Sequence, residues 1–409
     1  LSGAHYAVMI FLFFAARLFF LSSGRSSFSY WITMPYSITY EHGFIGRAFI
    51  GSLVSVFTKY LTHTTFYFII TAAALVMIAL ISVLLGKVIA QAEPDNKNAV
   101  VAFVLLFVTA PVSMTYLLEA HFGRLETFLL IFTLAGLIAL KLPGVRWAVP
   151  LLCFCALATH PGYMVTYMPG LAIPMLYEIY RSKNSKKSIA LFSLSCALMI
   201  GLFVYFQLFS RNALGFASAE EMGSALSHRT EMKIGTPMLY LEYFAPFPGW
   251  VTDYILPIVK NLALPVGGFL LLLSAPILLV FAVVWRTSFR LADNRFLKGI
   301  VLLCACAPLL FIVAAVFGID WDRQWAPVIN CQFIFLFYLV MSKESCILLS
   351  DKRISAFFER HSMVFVAILV LSSMALFSDN GMYWLPFFDK AVYDRYFENA
   401  LTNFDYLLG

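Results

Sequence analysis

Apolar runs of about 20 residues follow one another along most of this chain, and that repetition restricts its fold more than any other feature. A helix rises about 1.5 Å per residue, so such a run crosses a hydrocarbon core of about 30 Å. The runs lack the period-two alternation of barrel strands, which leaves helices. Composition agrees. The 409 residues are 61% hydrophobic and 12% charged, with mean hydropathy +0.85, whereas soluble domains carry roughly a quarter charged residues. A soluble fold is excluded. The expectation is an all-α, polytopic transmembrane bundle forming a single domain over 1–409. The candidate spans are about eleven, at roughly 5–23, 65–86, 99–118, 125–141, 147–160, 163–180, 188–210, 262–285, 297–317, 325–341 and 362–378.

The first run, Tyr6 to Leu21, lacks a basic start and a small-residue cleavage site and is interrupted by Arg17, so it reads as a retained span. Phe44 to Leu61 is also apolar. Its Arg47, Gly51, Ser55 and Thr58 recur at helical spacing, which predicts an in-plane interfacial helix. Charge tests that choice, because one more span would invert every later loop. With eleven spans, sixteen of the 28 Lys and Arg fall in alternate short loops totalling roughly 60 positions. Eleven others are spread over roughly 135 positions on the opposite side. The first side is therefore assigned to the cytoplasm together with the amino terminus. Segments 24–64, 211–261 and 379–409 become extracytoplasmic. The tail from Asp379 reads as an amphipathic interfacial helix. The pairs Cys153/Cys155 and Cys304/Cys306 lie in apolar helices, where two positions apart means different faces, so packing is favoured over metal binding.

The short loops carry Lys, Arg and Ser, as topology determinants in contact with lipid, and nothing in them calls for nucleic acid. The outer segments hold five of the seven histidines and most acidic residues. Four clusters stand out. In Pro35-Tyr-Ser-Ile-Thr-Tyr-Glu-His-Gly-Phe-Ile-Gly-Arg47, adjacent Glu41 and His42 are titratable and two glycines permit close backbone approach. Glu41 fits a general base, or equally a helix-start partner of Arg47. Glu119-Ala-His-Phe-Gly-Arg124 and His160-Pro-Gly-Tyr163 are tight turns that fix His121, Arg124, His160 and Tyr163 at the rim. Both also read as ordinary cap turns. In Asp320-Trp-Asp-Arg-Gln-Trp325, Asp320 or Asp322 can act as base or hold a divalent cation, Arg323 can clamp phosphate, and Trp325 can stack on a sugar. An Asp–Arg ion pair among belt tryptophans accounts for the same residues. The polar arm 211–261 suits acceptor recognition or a lid.

Glycosyl transfer from a lipid phosphate requires a carboxylate to deprotonate the acceptor and cations to balance the departing phosphate. This layout, with an acidic residue after the first span, resembles the GT-C superfamily of integral membrane glycosyltransferases. YEHGFIGR, HFGR and DWDRQW are also similar to segments of bacterial membrane proteins of capsule, exopolysaccharide and O-antigen assembly, including repeat-unit polymerases. Many GT-C members carry Asp where this chain has Glu41, and the long soluble carboxy-terminal domain of oligosaccharyltransferases is not apparent. The resemblance implies catalytic Glu41, Asp320 and Asp322, with His42, Arg47, His121, Arg124, His160, Tyr163, Arg323 and Trp325 binding substrate. It implies a polyprenyl-phosphate-linked glycan donor, a glycan acceptor, membrane lipids as partners and a bacterial cytoplasmic membrane as the location. No cofactor is required beyond the cation option at Asp320/Asp322. A single-sugar transferase and a polymerase both fit. A lipid-linked oligosaccharide flippase or transporter and a non-catalytic assembly subunit are the competing classes.

Overall fold

A computed structural model describes residues 2–21, 28–118, 122–210, 213–244, 268–310, 321–373, 375–378, 381–384 and 398. The larger helices are α1 (Gly3–Leu21), α4 (His63–Gln91), α5 (Lys97–Thr109), α7 (Glu126–Lys141), α8 (Val149–Thr159), α9 (Pro169–Arg181), α10 (Lys186–Leu208), α13 (Gly268–Leu291), α14 (Arg295–Cys306), α15 (Trp321–Met341), α16 (Ser345–Arg360) and α17 (Ser362–Ser373). Shorter pieces are α2 (Tyr30–Thr33), α3 (Phe49–Phe57), α6 (Tyr116–Leu118), α11 (Ala219–Ser227) and α12 (Thr236–Leu239). Five helices among the described residues are long and apolar enough to cross a membrane, or six if the bent pair α16 and α17 counts as one. Prolines inside α9, α13 and α15 (Pro174, Pro276 and Pro327) are tolerated where neighbouring helices satisfy the freed carbonyls.

Helix α15 is the centre of the bundle. Nearly every residue from Trp325 to Val340 is buried, and Phe333 packs against both Phe107 of α5 and Phe281 of α13. Two groups of loops lie at opposite ends of this bundle, and α10 connects them. At its start, Ser182 is bonded to Ser188 at 3.0 Å; near its finish, Phe206 packs on Phe44. Twenty residues separate Lys186 from Phe206, a rise of about 30 Å. The α10 start belongs to a basic end. There Lys141 donates to Glu178 at 3.0 Å and to Ser342 at 2.7 Å, Tyr338 donates to Glu178 at 2.6 Å, and the Lys141 ammonium sits 4.0 Å from the Tyr338 ring centroid. Phe296 stacks on Tyr180 at this same end.

Segment 44–61 contains the helix α3, only nine residues long and far too short to span. It buries Ile50, Gly51 and Val54 while Val56 and Phe57 are 75% and 89% exposed. Gly51, expected in a polar stripe, serves packing instead. A Cβ there would meet the Ile38 carbonyl oxygen at 2.0 Å.

Four expectations need correction. The stretch 343–360, read as a cytoplasmic loop from its charge, is helix α16, with Cys346, Ile347, Ser350, Ile354 and Phe358 on a buried face. Its apolar stripe has helical period, and Lys352, Arg353 and Arg360 on the other face hide it from a hydropathy reading. The span expected to run to 378 stops at Ser373, bent by 101° from α16. It is followed by an antiparallel pair, β1 (Ala375–Ser378) with β2 (Gly381–Trp384), Ser378 facing Gly381. Asp379 and Asn380 lie outside the described residues. The expected tail helix is therefore strand at 381–384; residues 385–397 and 399–409 lie outside the described residues. Finally, the span expected at 99–118 is broken. Its helical turn Pro111–Thr115 contains Ser113 at φ −104, ψ −139, with the Ser113 hydroxyl donating to the Phe107 and Ala110 carbonyls. Parts of the spans expected at 262–285 and 297–317, and the arm beyond residue 244, lie outside the described residues.

Candidate functional site

At the end opposite the basic loops, residues 28–62 and 213–244 fold into one cap. Met34, Ile38, Ile45 and Ala48 from the first segment share a core with Ala219, Met222, Leu226, Met238, Leu239 and Tyr243 from the second. Backbone bonds reinforce it: Leu61 N–H to the Arg229 carbonyl at 2.8 Å, Glu231 N–H to the Leu61 carbonyl at 3.3 Å, and Gly215 N–H to the His42 carbonyl at 3.1 Å. The Tyr243 hydroxyl donates to the Gly46 carbonyl at 3.1 Å.

Glu41 lies in a single turn of helix, Tyr40–His42. Its Oε2 accepts a hydrogen bond from Arg229 Nη1, and Lys59 Nζ approaches its Oε1 at 3.9 Å. Arg229 also donates to Thr39 Oγ1 at 3.1 Å. The Glu41 side chain is 60% exposed and the Arg229 side chain 16%. An exposed pair of this kind contributes at most about 1 kcal/mol, so it positions Glu41 more than it holds the cap. Arg47 differs. Its Nη1 bonds Glu242 Oε1 at 2.8 Å, with both side chains largely covered, and such charge-assisted bonds contribute about 1.5–3 kcal/mol. Arg47 adopts φ +68, a left-handed conformation costing about 1–2 kcal/mol. The Glu41–Arg47 partnership open to the sequence is thus replaced by two crossed pairs, each tying the first segment to the second.

The Arg229 hydrogen bond and charge hold the Glu41 carboxyl below its ordinary range. His42 is lowered by burial first and by the Arg229 charge second, against the opposing pull of Glu41. Its Nε2 is buried without a hydrogen-bond partner, and its ring lies 5.1 Å from that of Phe216. Both groups have folded pKa values below their ordinary ones. The stability they lend is present above the ordinary values and is lost as pH falls through the folded ones. Acidification from about pH 6.5 should therefore loosen the cap through His42, with Glu41 adding little because its pair is exposed. Hydrogen-exchange protection of 213–231, corrected for intrinsic rates, is expected to drop between pH 7 and 5. In His42→Gln that drop should vanish, and a flat wild-type profile would contradict the coupling.

A second set of groups lies beneath the cap. The Tyr36 hydroxyl donates to the Gly123 carbonyl at 2.5 Å, which brings the turn containing Arg124 against the first segment. Burial and then the Glu126 charge raise the Tyr36 phenol, so this carboxylate is within electrostatic range of the first segment. Glu126 is buried at the start of α7. The Tyr167 hydroxyl accepts from Asn330 Nδ2 at 3.2 Å. Asn330 is eight residues after Asp322, about 12 Å along α15. The segment 28–62 and the turn containing Arg124 thus meet beneath the cap.

Not every expected residue faces a substrate. The His160 Nδ1 accepts from Gly162 N–H at 2.9 Å and caps the turn Pro161–Met164. Tyr163 is fully buried, its hydroxyl 3.4 Å from Thr133 Oγ1. Trp325 is 4% exposed, and its indole donates to Ser274 at 2.7 Å, so its place is the helix interface rather than a stacking platform. Asp322 and Arg323 occupy the first turn of α15 by their backbone, a favourable place for a carboxylate. Asp320 and His121 lie outside the described residues. Among the described residues no three His, Cys, Asp or Glu side chains converge to hold a metal ion. Sequence reasoning places Arg229 only among the polar residues of the arm 211–261, and it does not single out Lys59 or Glu126. An Arg-Thr-Glu run in a polar arm signals nothing without its partner strand. No protein-family model, curated protein or solved structure matches the chain.

Proposed function

We propose that the chain is an integral membrane glycosyltransferase of the GT-C kind, with about eleven spans and its cap on the extracytoplasmic face of a bacterial cytoplasmic membrane. It takes a sugar or oligosaccharide from a polyprenyl-(di)phosphate donor and passes it to a glycan acceptor in cell-surface polysaccharide assembly. The observation that carries this reading is the cap itself: an exposed carboxylate, Glu41, held ionised among Arg229 and Lys59 at the bundle end opposite the basic loops. In the reaction, Glu41 takes the proton of the acceptor hydroxyl as its oxygen bonds the anomeric carbon. The bond from that carbon to the phosphate oxygen breaks, and its electron pair leaves with the phosphate. In this reading Arg124 and Arg323 balance that charge, whereas Arg47 is occupied by Glu242. No metal is needed in this scheme.

One observation favours the competing transporter reading, namely the break at Pro111–Thr115 within an otherwise apolar helix, since broken helices serve transport sites. Proteoliposomes of the full chain supplied with a pool of polyprenyl-linked glycans separate the two. A glycosyltransferase yields glycans changed in mass; a flippase moves the same lipids across the bilayer with their mass unchanged.

A further inference from the structure

At the basic end, α13 and α14 enclose a groove of about 400 Å³ floored by Gln332 of α15. Its walls are apolar, with Leu278, Phe281, Leu302 and Ala305 among them. The floor offers no free polarity: the Trp285 indole donates to Gln332 Oε1 at 2.6 Å, and Gln332 Nε2 donates to the Cys304 carbonyl at 2.7 Å. Charge enters at one end only, where Arg286 and Arg290 line the mouth one helical turn apart. Both are exposed. Neither forms an ion pair among the described residues, and Asp293 is the sole carboxylate among Arg286, Arg290, Arg295 and Lys298 in that stretch. Lys298 lies beside the mouth, its ammonium 5.8 Å from the Phe289 ring centroid.

We infer that this groove binds an anionic glycerophospholipid of the surrounding bilayer. Its phosphate sits on the Arg286 and Arg290 guanidinium groups, and an acyl chain lies along Phe281 and Leu302 towards Pro308. Charge complementarity selects the ligand. Two unpaired guanidinium groups at the rim of a dry channel match one phosphate followed by hydrocarbon, and the pocket volume falls within the range of small-ligand sites. The site rests on the membrane reading of the apolar helices and not on glycosyl transfer. Phe296, one residue into α14, stacks on Tyr180 just before α10, while the cap contacts the far end of α10, about 30 Å away. The polyprenyl donor of the cap is therefore not its occupant.

Native mass spectrometry of the full chain tests this with phosphatidylglycerol, phosphatidylcholine and undecaprenyl phosphate as probes. Phosphatidylglycerol should be retained at least tenfold more strongly than phosphatidylcholine. Arg286→Gln/Arg290→Gln should abolish that preference, and Arg353→Gln, an exposed cation on α16, should leave it intact. Ala305→Trp keeps both guanidinium groups and fills the groove, so it should also lose the bound lipid. Equal retention of both phospholipids, or an unchanged preference in the double variant or in Ala305→Trp, overturns the inference. So does displacement of phosphatidylglycerol by equimolar undecaprenyl phosphate. Glycan transfer by the cap stands or falls separately, because none of these variants touches it.

Discussion

Arg229→Glu is expected to release segment 213–231 from segment 28–62 and to reduce glycan transfer by at least tenfold. Arg229 is largely covered and bonds both Glu41 and Thr39. Reversing it places two carboxylates against each other where one ion pair stood. Loss of the exposed ion pair costs at most about 1 kcal/mol; reversal adds repulsion and sets a carboxylate in the largely covered place of Arg229, whose bond to Thr39 is also lost. The companion variant Glu41→Arg/Arg229→Glu restores opposite charges and is expected to recover most of the hydrogen-exchange protection across 213–231. Transfer should not recover, because the carboxylate is then on the wrong segment. Recovery of both would reduce Glu41 to a structural partner.

Gly43→Val should have an effect of similar size on the cap through a different cause. Gly43 has φ +116 and ψ 161, a region open essentially to glycine alone. A Cβ there would stand 2.0 Å from the Ala213 carbonyl oxygen, and backbone cannot yield as a side-chain tip does. Conformational strain of about 1–3 kcal/mol adds to the clash. The turn Tyr40–His42 must then part from 213–216, losing the bond from Gly215 N–H to the His42 carbonyl. Loss of exchange protection at 213–216, with the basic end unchanged, is the expected result. Unaltered protection would show that the two segments are not docked through Gly43.

The apolar runs made the helical class and the five membrane-length helices legible, because hydrocarbon thickness imposes such lengths, and 44–61 holds only a nine-residue helix, too short to span. What the sequence concealed was relational. Glu41 and Arg229 are 188 positions apart, and neither neighbourhood alone announces a partner. Glu41 beside Arg47 offered a nearer and misleading pair, since local spacing cannot show that Glu242 competes for that guanidinium. His160 and Trp325 were conspicuous as residue types in an apolar chain, yet one caps a turn and the other bonds a buried hydroxyl. Rarity in composition is a weak guide where a polar atom can be satisfied internally. In 345–360 the charges outweighed a helical stripe, and the short strands 375–378 and 381–384 were absorbed into a reading of continuous helix.

The most direct test is the conversion of a polyprenyl-linked glycan pool by full-length protein in proteoliposomes, wild type beside Glu41→Gln. Glu41 is exposed and its ion pair weak, so Glu41→Gln should keep the wild-type exchange pattern. Losing the acceptor's base should reduce transfer about 100- to 10,000-fold. Glycans lengthened by the wild type and unchanged by the variant are the predicted result. Equal conversion by both proteins, or no mass change with either across the donor pool, would contradict glycosyl transfer at Glu41.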